Sequence, residues 1–142
     1  MPLVYNGMEV CDSAESTDPG LFEKIPILWG IGKRRPECAR FYRKMIALRK
    51  GNRALRRGDV TWLENSEPQK VVSFLRTSAG EQTLVVVNTA SERVKALLPQ
   101  PRLQGWLDVT PDLSTDAVAT PSVVGGQTLE LGPWGFKVLK RP

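Results

Sequence analysis

Residues 70–89 read KVVSFLRTSAGEQTLVVVNT, and this stretch decides the fold. Two runs rich in β-branched and apolar residues, 70–77 and 82–89, are joined by the short segment Ser-Ala-Gly-Glu at 78–81. Runs of this kind around a glycine-containing turn predict a β-hairpin, whose two strands pair antiparallel. The sequence therefore predicts an antiparallel sheet that extends outward from this hairpin.

Further short strands are predicted around the hairpin, at 59–64, 93–98 and 105–110, with two more within 128–140. About seven short strands with regular turns predict a mainly β fold, an antiparallel Greek-key β-sandwich. Residues 111–127 are rich in turn-forming residues and are predicted to be loop. Alternation along the strands predicts a core made of Val60, Trp62, Val72, Phe74, Leu84, Val86, Trp106, Phe136 and Val138.

One strand, a long loop and one α-helix are predicted before the sandwich. Leu3–Tyr5 is a strand-like apolar run, and residues 12–36 contain many Gly, Pro, Ser and Asp residues typical of a loop. Phe41, Met45 and Leu48 recur at helical spacing. We therefore expect the helix to begin near Pro36, a residue that suits a first turn, and to end at Gly51-Asn52.

The composition narrows the chemistry. The chain has 142 residues and no histidine, which excludes histidine-based triads and the commonest metal ligand. Gly125-Gly126 has no lysine or helix pattern behind it and is interpreted as a turn, so no phosphate-binding loop is predicted. We expect no cofactor and no metal site. The first residues lack the pattern of a signal peptide, and the default expectation is a soluble cytoplasmic protein.

Cys11 and Cys38 are the two cysteines of the chain. They are too few for a four-thiolate zinc site, and their spacing matches no thiol motif. Two alternatives remain, a disulfide between them or a pair of buried, inert thiols. The spacing favours the thiols.

Several stretches together resemble the C-terminal part of the alpha-amylase family, glycoside hydrolase family 13. PLVYNGMEV at 2–10 resembles the last barrel strand, although Met8 stands where that family has glutamine. RFYRKMIALRKGNRAL at 40–55 resembles the last barrel helix. LVVVNTA at 84–90 and LGPWGFKVL at 131–139 resemble strands of the C-terminal β-domain. The matches follow the order of the family along nearly the whole chain.

The resemblance implies a domain division and a function. Residues 1–53 correspond to the last unit of a (β/α)8 barrel, and residues 54–142 to the C-terminal antiparallel β-domain. The family's catalytic carboxylates lie on earlier barrel strands, upstream of the stretch that Pro2 begins. The resemblance therefore implies a non-catalytic fragment or accessory β-domain, whose parent enzyme acts on alpha-glucans.

Glu9 is the carboxylate that deserves a catalytic test, and the residues speak against that role. Glycoside hydrolysis normally needs two carboxylates about 5–10 Å apart on a rigid scaffold. The nearest acidic residues, such as Asp12, lie in the predicted loop. Glu9 is therefore predicted to bond nearby backbone, and no catalytic residue is assigned. The candidates for carbohydrate contact are Tyr5, Glu9 and Trp29, while the other tryptophans are predicted to be core.

An alternative function is a stand-alone binding module for carbohydrate or for polyanions such as nucleic acid. Residues 33–57 hold eleven of the 20 Lys and Arg residues, opposed by Glu37 alone, and the net charge is +5. A basic helix of this kind can bind phosphates, with Arg40, Arg43 and Lys44 as candidate anion contacts. The alternative is that these residues form the solvated face of an amphipathic helix. This interpretation is favoured because the helix lacks the exposed, interleaved aromatic residues that would stack on bases.

Association is the last expectation. A strand with open backbone edges and apolar side chains is a template for pairing with another chain. We therefore expect a homo-oligomer, most simply a dimer, joined through residues 2–10 and 25–29.

Overall fold

The computed structural model describes residues 4–12, 26–110, 122–124 and 126–141, and the chain divides into two compact units, Met1–Ile46 and Ala47–Pro142. Within the described ranges, no helix combines the length and the apolar character needed to cross a bilayer. The second unit contains the strands, and these position the exposed tryptophans and the depressions described below.

The described residues of the second unit contain the strands β1 (Asp59–Trp62), β2 (Val71–Ser78), β3 (Glu81–Asn88), β4 (Val94–Leu97), β5 (Trp106–Asp108), β6 (Ser122–Val124), β7 (Thr128–Leu131) and β8 (Phe136–Arg141). Six of them form one sheet in the order β1-β2-β3-β8-β5-β6, and β4 pairs with β7 in a second sheet. Each of these pairings is antiparallel. The predicted mainly β, antiparallel fold is confirmed.

The predicted hairpin is β2 and β3, closed by a two-residue turn. Ser78 pairs with Glu81, and the residues between them, Ala79 and Gly80, have φ angles of +48° and +87°. Positive φ at both central positions is the geometry of the turn that matches the right-handed twist of paired strands. Glycine adopts this geometry freely, whereas alanine is strained there.

The core lies between the two sheets, as expected for a sandwich. Leu84 and Val86 of β3 and Trp106 of β5 are fully buried in it, as predicted from the sequence. The second sheet contributes residues from β4 and β7 to the same cluster. The complete cluster of buried residues is Val71, Leu84, Val86, Val94, Ala96, Leu98, Leu103, Trp106, Leu129, Leu131 and Leu139.

The predicted core is wrong for the first two strands. Val60, Trp62 and Val72 are exposed, while Val71 and Ser73 are the buried residues of β2. Successive strand residues point to opposite faces, so a choice that is wrong by one residue reverses the whole strand. Trp62 of β1 pairs with Phe74 of β2, so it lies on the same face of the sheet as Phe74 and Val72. Phe74 and Phe136 are half-buried rather than core, and Val138 is buried as predicted.

Local structure beyond the prediction appears at two places in the second unit. A short helix, α3 (Arg53–Arg57), follows the predicted helix end, and the Asn52 side chain caps it by accepting from the Leu55 N–H at 2.9 Å. The strand β6 lies within the segment predicted to be loop, where it pairs with β5. The pair Val123-Val124 was the local signal for it, since β-branched residues favour strands.

The described residues at the start of the first unit do not form the predicted strand. Val4 and Tyr5 are irregular, and a 3₁₀ turn, Met8–Val10, follows them; Leu3 lies outside the described residues. A strand requires a paired neighbour, and the described residues of this unit contain none. The predicted loop contains a short helix, α1 (Ile31–Arg34), and residues 13–25 lie outside the description.

The predicted helix is α2 (Pro36–Gly51), which begins at the proline and ends at the glycine. Cys38 in its first turn forms a disulfide with Cys11, and their Cα atoms are 5.9 Å apart. The preference for two inert thiols was therefore wrong, because spacing along the chain says nothing about the distance between residues that the fold brings together.

Candidate functional site

The three sugar-contact candidates lie in the first unit. Tyr5 and Trp29 are exposed, and Glu9 is half-buried. The Glu9 carboxylate accepts a hydrogen bond from the Gly7 N–H at 3.0 Å, so it is bound to its own turn. Asp12 is used in the same manner, because its Oδ2 accepts from the Leu28 N–H at 3.1 Å. Both carboxylates bond backbone N–H groups of the first unit, and Glu9 does so within its own turn, as predicted.

The anion-contact candidates lie on α2. Arg40 and Arg43 are exposed, and Arg43 Nε donates to the Ala39 carbonyl oxygen at 3.2 Å. Lys44 is half-buried and has interactions of its own. Arg40 and Arg43 thus face solvent, while Arg43 and Lys44 also interact with other groups of the protein. Their role in binding anions stays a prediction.

Other arginines of the second unit stabilise α3. Arg49 donates to the Leu55 carbonyl oxygen. Arg76 donates to the carbonyl oxygens of Ala54 and Leu55, at 3.3 and 3.4 Å. The Ala54 carbonyl oxygen also accepts from the Gly58 N–H at 2.8 Å, so Arg76 adds a second donor there. At the Leu55 carbonyl oxygen, the guanidinium groups of Arg49 and Arg76 are the donors near the helix end. Part of the basic run is thus structural.

The exposed tryptophans of the second unit are the feature that sequence reasoning missed. Trp62 is 72% exposed and packs its ring against Phe74 at a centroid distance of 5.5 Å in an edge-to-face arrangement. Trp134 is 66% exposed and has a φ of +53°. Trp106, in contrast, is fully buried, and its Nε1–H donates to the Arg102 carbonyl oxygen at 2.9 Å. The prediction of core tryptophans is confirmed for Trp106 and wrong for Trp62 and Trp134.

Trp62 borders a depression of about 620 Å³ on the second unit. Its lining residues are Trp62, Leu63, Glu64, Asn65, Pro68, Val71, Val72 and Ser73. Asn65 holds the floor in place, because its Nδ2 donates to the Val71 carbonyl oxygen and to the Ser73 hydroxyl, each at 3.0 Å. The Ser73 hydroxyl in turn donates to the Leu63 carbonyl oxygen at 2.8 Å. The polar groups of the floor are therefore fixed by the protein itself.

A second depression, of about 470 Å³, lies beside Gln127. The Gln127 side chain accepts from the Leu103 N–H at 2.6 Å and donates to the Leu98 carbonyl oxygen at 2.8 Å. Its polar groups thus hold the 98–103 segment against β7. We interpret this depression as structural.

The pKa shifts of the second unit come from surface ion pairs. A hydrogen bond to Lys70, 2.7 Å away, lowers the pKa of Glu92, and the same bond raises the pKa of Lys70. A hydrogen bond from Arg93, at 2.8 Å, lowers the pKa of Glu130, with the charge of Lys95 adding to the effect. A catalytic acid at neutral pH needs a raised pKa, so these lowered carboxyl pKa values indicate structural pairs.

The described parts of the chain contain no group of Cys, Asp and Glu side chains able to hold a metal ion. The geometry therefore offers an aromatic surface beside a polar depression, while Glu9, Asp12, Glu92 and Glu130 bond backbone or basic side chains. An arrangement of this kind can bind a ligand by apolar contact and hydrogen bonds.

Comparison with known proteins identifies the family. The family model described as the maltogenic amylase C-terminal domain matches residues 60–138, from β1 to β8. This chain belongs to the maltogenic amylase C-terminal domain family. The match covers more than half of the chain and the two-sheet unit described above. The resemblance to the C-terminal part of alpha-amylase family proteins is confirmed.

Members of the wider enzyme family are similar to this chain over their C-terminal part. A cyclomaltodextrinase from Geobacillus thermopakistaniensis is 28% identical over 106 residues, which cover 75% of this chain. A neopullulanase 2 from Thermoactinomyces vulgaris is 31% identical over 109 residues, also 75% of this chain. The chain spans 18% of the length of each of these relatives.

Solved structures agree with this relationship. The trehalulose synthase MutB from Pseudomonas mesoacidophila MX-45 is 29% identical, with a TM-score of 0.56 over 72% of this chain and 17% of that protein. An isomaltulose synthase from Erwinia rhapontici NX5 is 25% identical, with a TM-score of 0.53 over 70% of this chain and 17% of that protein. The maltogenic amylase C-terminal domain fold is thus shared with enzymes that are several times longer.

Proposed function

We propose that this chain is a non-catalytic accessory β-domain that works beside an amylase-like catalytic domain acting on alpha-glucans. The observation that carries the proposal is the family match over residues 60–138, in relatives of which this chain spans 18%. The names of those relatives, a cyclomaltodextrinase and a neopullulanase, support an alpha-glucan as the substrate of the whole enzyme.

Three carboxylates among the described residues support the non-catalytic part of the proposal. Glu9 and Asp12 accept hydrogen bonds from backbone N–H groups of their own unit. Asp108 lies 2.6 Å from Lys137 Nζ, and its other oxygen accepts from the Thr110 N–H at 2.9 Å. A retaining or inverting glycosidase needs a facing pair of carboxylates that act on the substrate.

An activity assay tests the absence of catalysis. The purified chain should release no reducing sugar from starch, maltodextrin or sucrose, and Glu9→Gln should behave in the same way. Release of sugar that is lost in the Glu9→Gln variant would show that Glu9 has a catalytic role.

A domain exchange tests the accessory role. Residues 54–142 replace the corresponding C-terminal section of the Thermoactinomyces vulgaris neopullulanase 2, and the chimera is compared with a variant lacking that section. We expect the chimera to be more soluble and more active than the truncated enzyme. A chimera that matches the truncated enzyme in both respects contradicts the proposal.

Homodimer formation remains part of the proposal. The ranges predicted to associate, 2–10 and 25–29, contain exposed apolar residues, among them Val4, Tyr5, Leu28 and Trp29. Light scattering of the full chain and of Trp29→Ser at high protein concentration tests the idea. A monomer in both samples eliminates it.

A further inference from the structure

We propose that Trp62 and the depression beside it form a binding surface for a starch-type alpha-glucan chain. In this proposal a glucose ring stacks on the Trp62 indole while neighbouring hydroxyl groups bond the polar wall of the depression. The inference rests on the proposed function, because the accessory role supplies the reason for an alpha-glucan as ligand. It assigns the contact to Trp62 in place of the residues predicted from the sequence.

Trp62 is presented as a platform. It ends the edge strand β1 and is 72% exposed, although a tryptophan gains much from burial. The edge-to-face contact with Phe74, at 5.5 Å, fixes its ring without covering it. A large, oriented and exposed aromatic face is well suited to the apolar face of a sugar ring, because little conformational entropy is lost on binding.

The wall of the depression supplies hydrogen-bonding groups for hydroxyls. Glu64 lines it, is exposed, and makes no hydrogen bond or ion pair with any described residue. A carboxylate with both oxygens available accepts strongly from hydroxyl donors. Asn65 and Ser73 are tied to backbone carbonyls and keep the floor rigid. The volume, about 620 Å³, lies within the range of small-ligand sites, which is roughly 300–1,000 Å³.

Charge favours a neutral ligand at this place. The chain has a net charge of +5, yet Glu64 is the one ionisable residue that lines the depression. A negative group here repels a polyanion, while the many O–H donors of a polyol complement it. The same argument disfavours an acidic protein surface as the occupant.

Trp134 provides a matched control. It is exposed to a similar extent, 66%, and lines neither of the two depressions described above. If exposed indole alone were sufficient, both tryptophans would bind sugar equally. The proposal requires that only Trp62 does so.

Affinity electrophoresis of the full chain in native gels tests the proposal, with amylopectin in one gel and dextran in another. We expect amylopectin to retard the wild-type chain and Trp134→Ala equally. Trp62→Ala should bind about tenfold more weakly, as expected for loss of a central aromatic contact, and Glu64→Gln should fall between them. Dextran should retard none of them to the same degree. Circular dichroism melting of each variant confirms that it is folded.

Three results would overturn the proposal. They are a wild-type chain that amylopectin does not retard, retardation that Trp62→Ala leaves unchanged, and equal losses in the Trp62 and Trp134 variants. Light scattering adds a fourth, since a wild-type oligomer that Trp62→Ala dissociates, without any glucan binding, identifies this face as a protein interface. The accessory role is tested separately by the domain exchange, so its outcome does not depend on these results.

Discussion

Asn52 donates its side-chain N–H to the hydroxyl oxygen of Thr83 across 2.8 Å, and both residues are buried. The two residues are 31 positions apart, and the bond joins the cap of α3 to the middle of the sheet. Thr83 alternates with Leu84, which faces the core, so this bond lies on the opposite face of the sheet. A single amide therefore both begins a helix and attaches it to the β-sandwich.

Asn52→Ala should lower the free energy of unfolding by about 2–3 kcal/mol, because it removes the helix cap and leaves the buried hydroxyl of Thr83 without its donor. Thr83→Val keeps the helix cap and removes only the hydrogen bond between the two side chains, so it should cost about 1 kcal/mol. Urea unfolding measures both. If the two variants lose the same stability, the cap contributes nothing.

Adjacent valines on β2 test which face is the core. Val71 is 3% exposed and Val72 is 41% exposed, so Val71→Ala should cost about 2–3 kcal/mol and Val72→Ala less than about 1 kcal/mol. The substitutions are chemically identical, which makes each the control for the other. Equal losses in denaturant unfolding would show that the face assignment of β2 is incorrect.

The hairpin turn can be improved at Ala79. Its φ of +48° is unfavourable for alanine, and Asn-Gly is a preferred pair for this turn. Ala79→Asn should raise the free energy of unfolding by about 1 kcal/mol, and Ala79→Val should lower it, since β-branched residues disfavour positive φ. A less stable asparagine variant would contradict the turn geometry.

The disulfide between Cys11 and Cys38 should hold the beginning of the chain to α2. The bridge links residues 27 positions apart, and reduction should destabilise this unit by about 3 kcal/mol. The denatured chain should expose no reactive thiol until reductant is added. Limited proteolysis should then cut the 4–12 segment faster, while the double Cys→Ser variant is insensitive to reductant. Thiols that react without reduction would exclude the bridge.

The pair of Arg93 and Glu130 should make stability depend on pH in acid. The hydrogen bond from Arg93 lowers the pKa of Glu130 in the folded chain, so its contribution is present above the ordinary glutamate pKa, about 4.3. That contribution is lost as the pH falls through the lowered pKa. Thermal melting of wild type and Glu130→Gln should therefore differ near neutral pH and converge in strong acid. Added salt should also reduce the difference, and a gap that persists in acid excludes the pair as its source.

Local sequence determined most of the secondary structure. The hairpin at 70–89, the helix from Pro36 to Gly51 and the strands of the second unit other than β6 follow from periodicity and turn residues, which act over a few positions. The fold class follows from them. Local signals also explain why Glu9 bonds the backbone of its own turn.

Tertiary structure alone decided which residues meet. Both faces of β2 carry apolar residues, so alternation along the strand did not identify the buried face. The second sheet covers the face of β2 that carries Val71. Ser73 lies on the same face and can be buried because its hydroxyl accepts a hydrogen bond from Asn65 and donates one to the Leu63 carbonyl oxygen. Pairing of Cys11 with Cys38 and the exposure of Trp62 likewise depend on packing between distant segments. Periodicity within a strand distinguishes two faces, and only the position of the other sheet determines which of them is buried.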